Sequence, residues 1–497
     1  MPALPLSIFS FELVSDYLLL LVSILVFIAV LVTKIGSKMG VPSLLLFLIL
    51  GMLAGGDVFG IEFEEYEAAE EIGHFAMTII LFTGGLQTSL KTTKPVMKQG
   101  ILLSTLGVFL TAVLTAAFIY LFCAKWINPQ GASFLACFLI ASVMSSTDSA
   151  SVFSVLRSRK ANLRENLGPL LELESGSNDP MAYVLTIILV QVLSSSKAGS
   201  GWAMLGHGAL VLVLQIVIGF IIGLAVGFTA KWILQKVKLP SNSLYSVLIL
   251  CIGFFANGIS SLLYGNGLLS VYVCAIIIGN KVDIPPKKDI GKFFDGMTWL
   301  MQLIMFLMLG LLAKPSEFSG IALPALTIGL FMMFVARPLS VFICLAPFRD
   351  LSIKAKLFAS WVGLKGAGPI LFALCPVVAG LNGASEIFNI VFFITLISLL
   401  LQGMTLNKVA NMLDLSYPED PEIETFGMEI PEEMGMLRDH TVSEEDLQRG
   451  ETLRDLHLPH GIRVMMVRRG DNFLVPHGSM KLHVDDHLII IMGDTDD

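Results

Sequence analysis

The sequence predicts an all-α polytopic membrane protein of 13 transmembrane helices, arranged as inverted repeats (6+1+6) with two crossing broken helices, followed by a small α+β cytosolic C-terminal domain. Three observations predict it. The 497-residue chain is 55% hydrophobic and only 14% charged, with a mean hydropathy of +0.79, whereas a soluble domain carries about 25% charged residues. Its charge is divided: residues 412–497 hold 20 acidic and 7 basic residues, a net of −13, while residues 1–411 hold 20 acidic and 25 basic, a net of +5. Apolar runs able to cross about 30 Å of hydrocarbon fill the long body and are absent from the acidic tail. An ordinary cytosolic enzyme is excluded by the composition alone.

The runs fall at 17–33, 41–55, 72–88, 100–123, 133–156, 165–193, 206–230, 243–262, 265–280, 296–313, 321–346, 353–379 and 386–406. Alternate loops carry Lys34/Lys38, Lys91/Lys94/Lys98, Arg157/Arg159/Lys160/Arg164, Lys231/Lys236/Lys238, Lys281/Lys287/Lys288/Lys292 and Arg349/Lys354/Lys356, 19 positive charges in all. The remaining loops carry only Lys125, Lys197 and Lys314, and one of them, 56–71, is acidic (Asp57, Glu62, Glu64, Glu65, Glu67, Glu70, Glu71). The positive-inside rule assigns the basic set to the cytoplasm. The N-terminus is then outside and the tail cytoplasmic. Glu12 and Asp16 precede the first basic residue, Lys34, so no cleavable signal peptide is expected. The cysteines Cys123, Cys137, Cys251, Cys274, Cys344 and Cys375 sit in apolar runs without a CxxC pair. They read as small core residues rather than a disulfide or zinc framework.

An odd linker helix between two six-helix halves inverts one half against the other, the plan of an inverted-repeat transporter. The fifth spans of the halves then correspond, and both are interrupted. One reads Ser145-Ser146-Thr147-Asp148-Ser149-Ala150-Ser151, the other Gly363-Leu364-Lys365-Gly366-Ala367-Gly368-Pro369. Such breaks free backbone groups that need partners in lipid, so they occur where they line a cavity. Asp148 can offset positive helix ends there, and Lys365 negative ones. A tightly packed proline kink is the plainer alternative.

The sixth span holds Glu172, Glu174 and Asp179 within eight residues. Burying each charge costs at least ~2.5–3.5 kcal/mol, so each needs water or a partner. Arg337 lies deep in the eleventh span and is a structural partner for Glu174. Glu172 lies two turns before Asp179 on one face, and its role stays open. Apart from Lys365, no spare cation remains for Asp179. Desolvation disfavours a bare carboxylate, so Asp179 reads as a site for a proton or a monovalent cation, never both. The bland alternative is a permanently protonated structural Asp; for Asp148 it is satisfaction by neighbouring hydroxyls. Thr147, Ser175 and Asn178 offer neutral oxygens to a partly dehydrated cation.

These residues resemble the monovalent cation/proton antiporters, in the electroneutral branch that has Asn-Asp where the electrogenic branch has Asp-Asp. The match runs through Glu174-Ser175-Gly176-Ser177-Asn178-Asp179, Arg337, Thr147-Asp148 with Ser149 in place of the family's proline, and Gly363-Leu364-Lys365-Gly366-Ala367 with Lys for Arg. It covers residues 10–410. The resemblance implies a homodimer, a mobile bundle moving against a dimerisation scaffold, and one-for-one exchange at Asp179, with no cofactor. Pairing this body with the tail is similar to K⁺/H⁺ antiporters of the cell volume regulation type, which implies K⁺ as the cargo. The site residues themselves suit Na⁺ as well.

The domain boundaries expected are 1–411 for the membrane body, 412–435 for an acidic linker and 436–497 for the tail domain. In the tail, Ser443 reads as the cap of a short helix carrying Leu447, Leu453 and Leu456 inward. Strands follow at Ile462–Val467, Phe473–Val475 and Leu488–Met492, with a Gly470-Asp471 turn between the first two. The pattern resembles the small C-terminal lobe of domains that regulate K⁺ channels and transporters, which implies a small ligand or nucleotide as its partner. Six of the eight histidines lie here (His440, His457, His460, His477, His483, His487) and read as scattered surface residues. Asp494-Thr495-Asp496-Asp497 follows the last strand directly, an ending that leaves open whether a further domain follows. A regulated K⁺ channel would need a carbonyl filter such as TVGYG, and a membrane enzyme an HExxH or GxSxG; the sequence has none of these. Membrane lipid, K⁺, Na⁺ and H⁺ are the partners expected, and no nucleic acid.

Overall fold

A computed structural model describes residues 20–34, 41–57, 61, 63–123, 133–148, 152, 161–194, 201–282, 287–418, 437–447, 451–456, 462–469, 472–484 and 486–492. Several features singled out in the sequence lie outside them: Glu12, Asp16, Lys38, Glu62, Lys125, Ser149 to Ser151, Arg157 to Lys160, Lys197, residues 419–436 of the acidic linker, His457, His460, the Gly470-Asp471 turn and the last five residues. The chain forms two compact units, Met1–Tyr417 and Pro418–Asp497.

The first unit is helical: α1 (Leu20–Lys34), α2 (Ser43–Ala54), α3 (Tyr66–Gln87), α4 (Leu90–Cys123), α5 (Phe134–Val143), α6 (Leu167–Ser194), α7 (Gly201–Lys236), α8 (Asn242–Leu262), α9 (Gly267–Lys281), α10 (Lys287–Leu311), α11 (Pro315–Leu345), α12 (Ile353–Trp361), α13 (Ala367–Val378) and α14 (Ala384–Met412). Six helices among the described residues are long and apolar enough to cross a membrane, in α4, α7, α8, α10, α11 and α14. α4 begins ten residues before its apolar run, because Lys91 and Lys94 can extend a helix past the hydrocarbon as well as any residue; a single 3₁₀ turn at Lys94–Val96 accommodates Pro95. Side-chain caps set several starts: Ser133 for α5, Asn266 for α9 and Ser352 for α12 each accept the N–H three residues on. π turns interrupt α11 at Met332–Ala336 and α14 at Leu399–Gly403. The first absorbs Pro338, which cannot donate to the ladder, and sits directly before Arg337.

α2 and α10 cross with their backbones nearly touching. A Cβ on Gly51 would overlap the Leu307 carbonyl, and one on Gly310 the Leu48 carbonyl. Small residues at such crossings let dispersion contacts replace the hydrophobic drive that lipid removes. α3 lies against α9, α10 and α13, and α6 against α5, so α3, α5, α6, α10 and α13 come together around one cleft.

The second unit contains a four-stranded antiparallel sheet: β1 (Leu437–Thr441), β2 (Ile462–Arg469), β3 (Asn472–Leu474) and β4 (His487–Met492), in the order β1-β4-β2-β3. Val442, Val467, Met480, Leu482, Leu488 and Ile490 form its core. β2 to β4 fall where the alternating runs predicted strands. β1 was not foreseen, since Leu-Arg-Asp-His-Thr has little apolar character and its pairing with β4 alone makes it a strand. The short helix is only Glu444–Leu447, with Ser443 accepting from the Asp446 N–H at 3.3 Å. Leu453 and Leu456 sit outside that helix, in a bridge-and-turn segment packed on the core. Asp486, buried directly before β4, accepts from Arg469 Nε (2.9 Å), Arg469 Nη2 (2.7 Å) and the His483 N–H (2.8 Å). Burial pushes its carboxyl up, but these donors together outweigh that and hold it below the usual carboxylate range.

Candidate ion-binding site

Two interrupted segments meet at the centre of the first unit. The segment after α5, Met144 to Asp148, has left the helix, and so has the segment between α12 and α13, Val362 to Gly366. Their freed backbone groups satisfy each other. The Asp148 N–H donates to the Leu364 carbonyl at 2.8 Å, and the Lys365 ammonium donates to the Ser146 carbonyl at 2.8 Å. The charges match the helix ends they meet. Lys365, only 2% exposed, lies where α5 presents its carbonyl end. Asp148 lies against Gly366, the N-cap of α13, where N–H groups point outward. A Cβ on Gly366 would overlap the Asp148 carboxylate, so glycine is what permits this approach.

A second tier holds the crossing. The Lys365 N–H donates to Ser398 Oγ (3.0 Å), Ser398 Oγ donates to Gln402 Oε1 (2.6 Å), and Gln402 Nε2 donates to the Trp361 carbonyl (2.8 Å). Gln402 thus occupies an orphan carbonyl at the end of α12.

Asp179 approaches this crossing from the middle of α6. Its Oδ1 accepts a hydrogen bond from the Ser146 hydroxyl. Asp179, Asp148 and Ser146 line one cavity with Met77, Ile80, Gln302, Met305, Phe306, Ala367, Gly368 and Pro369. The cavity has about 30 Å³ of room, enough for roughly two water molecules. Both carboxylates are half-buried rather than sealed.

The other singled-out residues divide by position. Asn178 Nδ2 donates to Thr147 Oγ1 at 2.5 Å and Ser175 Oγ donates to the Thr147 carbonyl at 2.9 Å, so these three tie α6 to the first broken segment rather than line the cavity. Arg337 Nη2 lies 2.5 Å from Glu174 Oε1, the two being 4% and 1% exposed, with Gly363 leaving room for the guanidinium stem. Glu172 is away from the cavity and accepts from Thr88 Oγ1 at 2.8 Å, at the end of α3. Two polar cavity residues were not foreseen. Ser146 stood in the quoted stretch without a role, because its partner is 33 positions away. Gln302 gave one signal, as the only side chain with a hydrogen-bonding amide between Trp299 and Leu312.

Unwound segments tied across each other, with carboxylates and a buried ammonium at the crossing, define an ion-coupled secondary transporter. The transmembrane sodium/hydrogen exchanger family matches residues 21–411, and the TrkA-C domain matches residues 437–496. The chain belongs to the sodium/hydrogen exchanger family. It is 37% identical over 473 residues to the K(+)/H(+) antiporter NhaP2 of Shewanella oneidensis, covering 94% of this chain and 80% of that one. It is 35% identical over 488 residues to the K(+)/H(+) antiporter NhaP of Alkalimonas amylolytica, covering 96% and 82%. The fold is that of the sodium proton antiporter MjNhaP1 from Methanocaldococcus jannaschii, with a TM-score of 0.65 at 22% identity over 77% of this chain and 97% of that one.

Proposed function

We propose that the protein is a secondary active antiporter that exchanges cytoplasmic K⁺ for H⁺, one for one, by exposing Asp179 alternately to the two sides of a bacterial inner membrane. The observation that carries this reading is the half-buried Asp179 carboxylate sharing a small cavity with Asp148 and Ser146 at the crossing of two broken helices. A carboxylate in that position can neutralise a proton or an alkali cation, and exclusive occupancy couples the two flows. Asp179 and Asp148 hold the cation; Thr147, Ser175 and Asn178 hold the segment that bears Asp148. Glu174–Arg337 and Lys365 stabilise the framework. The names of the two K(+)/H(+) antiporters support K⁺ as the cargo.

The same reading includes 13 spans in a 6+1+6 inverted repeat, a periplasmic N-terminus, a cytoplasmic C-terminus and a homodimer. It takes residues 1–411 as the transport domain, 412–435 as a linker and 436–497 as a regulatory domain that binds a small ligand. Its role is cation and pH homeostasis and cell volume regulation. The test is proton flux in proteoliposomes under a pH gradient, titrating K⁺, Na⁺, Li⁺ and Rb⁺ in turn. Cation-dependent flux in the wild type that vanishes in Asp179→Asn is expected. Wild-type flux in that variant removes Asp179 from the mechanism, and a response to Na⁺ but not K⁺ reassigns the cargo.

A further inference from the structure

α3 and α10 contribute Met77, Ile80, Gln302, Met305 and Phe306 to the cavity, and Gln302 is the one polar residue among them. Its amide continues a row. Asp295, Thr298 and Gln302 are spaced by three and four along α10 and share a face. Each of the first two joins α10 to α3: Gln87 Nε2 donates to Asp295 Oδ1 (2.6 Å), and Thr298 Oγ1 donates to Thr83 Oγ1 (2.8 Å). The row of inter-helix pairs ends at Gln302. Here α3 offers Ile80 and Met77, and Gln302 makes no hydrogen bond with the described residues. Its amide therefore does not serve to staple α10 to α3. Gln302 lines the same cavity as Asp148, Asp179 and Ser146.

We infer that Gln302 is a specificity-determining residue: its side-chain carbonyl completes the oxygen cage of the cavity that Asp179 lines and sets the preference for K⁺ over Na⁺. The inference rests on the antiport reading above. Two carboxylates alone make a cage of high field strength, which favours the smaller ion. A neutral amide oxygen from Gln302 adds a ligand of lower field strength, and an ion large enough to touch it together with the carboxylates gains most from it. Met77, Met305 and Phe306 supply no oxygen to compete for that place.

The experiment uses the full-length protein in proteoliposomes and compares apparent KM values for K⁺ and Na⁺ in wild type, Gln302→Met and Gln302→Glu. Methionine keeps the length and removes the oxygen; glutamate keeps the oxygen and raises its field strength. Both are expected to lower the K⁺/Na⁺ affinity ratio at least fivefold, Gln302→Met by weakening K⁺ and Gln302→Glu by strengthening Na⁺. Should Gln302→Met fail to fold, Gln302→Glu carries the same test. A ratio within twofold of wild type in a folded variant overturns the inference, and so does a wild type that prefers Na⁺. Absence of any cation-driven proton flux in the wild type is a different result, which defeats the antiport reading itself.

Discussion

At the scale of single residues, burial decides what each charge can do. Glu174 and Arg337 are both sealed from solvent and meet at 2.5 Å. Removing one partner leaves the other as an uncompensated charge, which costs about 3–5 kcal/mol, while replacing both by apolar residues is often neutral. Arg337→Leu should therefore lower the melting temperature in detergent sharply, and the double variant Glu174→Leu/Arg337→Leu should recover most of the loss. A double variant no more stable than the single one would mean that the pair does more than cancel charge. Gly366→Ala tests the neighbouring contact, because its methyl group would take the space of the Asp148 carboxylate. At least a tenfold rise in the apparent KM for the cation is expected in flux assays; unchanged affinity would detach Asp148 from the ion. The sequence disclosed these residues because a charge in an apolar run is conspicuous. It did not disclose Ser146 or Gln302 as site residues, since an uncharged polar side chain in a span is common and only the facing helix shows whether it is spoken for.

At the scale of elements, the site is a consequence of helices that stop. Gly363, Gly366, Gly368 and Pro369 made the second break legible from composition, and the Ser-Ser-Thr-Asp run did so for the first. Which backbone groups would pair across the breaks was not legible, because that depends on the depth at which the segments pass. The Lys365–Ser146 bond is the contact to probe. Lys365→Ala leaves the Ser146 carbonyl without that donor, and an unsatisfied buried acceptor costs about 1–3 kcal/mol. A lower thermal midpoint is expected, with Lys365→Arg intermediate; equal midpoints for all three proteins would show that the crossing does not depend on this ammonium. In the tail the sequence placed three strands and missed β1, whose residues gain strand character only from the neighbour they pair with.

For the whole molecule, the two units answer to different conditions. The proposal of a single exchangeable charge at Asp179, beside the neutral Asn178, predicts that transport is electroneutral. Imposing a membrane potential with a permeant anion such as thiocyanate, which moves neither K⁺ nor H⁺, should leave the exchange rate unchanged; a steep voltage dependence would require a second carboxylate to carry protons. In the tail, Asp486 predicts a pH dependence of stability. Its carboxyl is held below the unfolded value, so its stabilising contribution is complete above about pH 4 and is lost as pH falls through the lower folded value. Hydrogen exchange in β4 should accordingly be flat between pH 5 and 8 after correction for intrinsic rates and should loosen only in stronger acid. Arg469→Gln should loosen β4 already at neutral pH.

The narrowness of the chamber at Asp179 has its own consequence. An alkali ion travels in water with a full coat of solvent, and a space for roughly two water molecules cannot admit that coat. On the antiport reading an ion bound there gives up most of that coat to the cavity lining, which includes Met77, Met305 and Phe306, so turnover should quicken steeply with warming and slow most for the ions that cling hardest to their water.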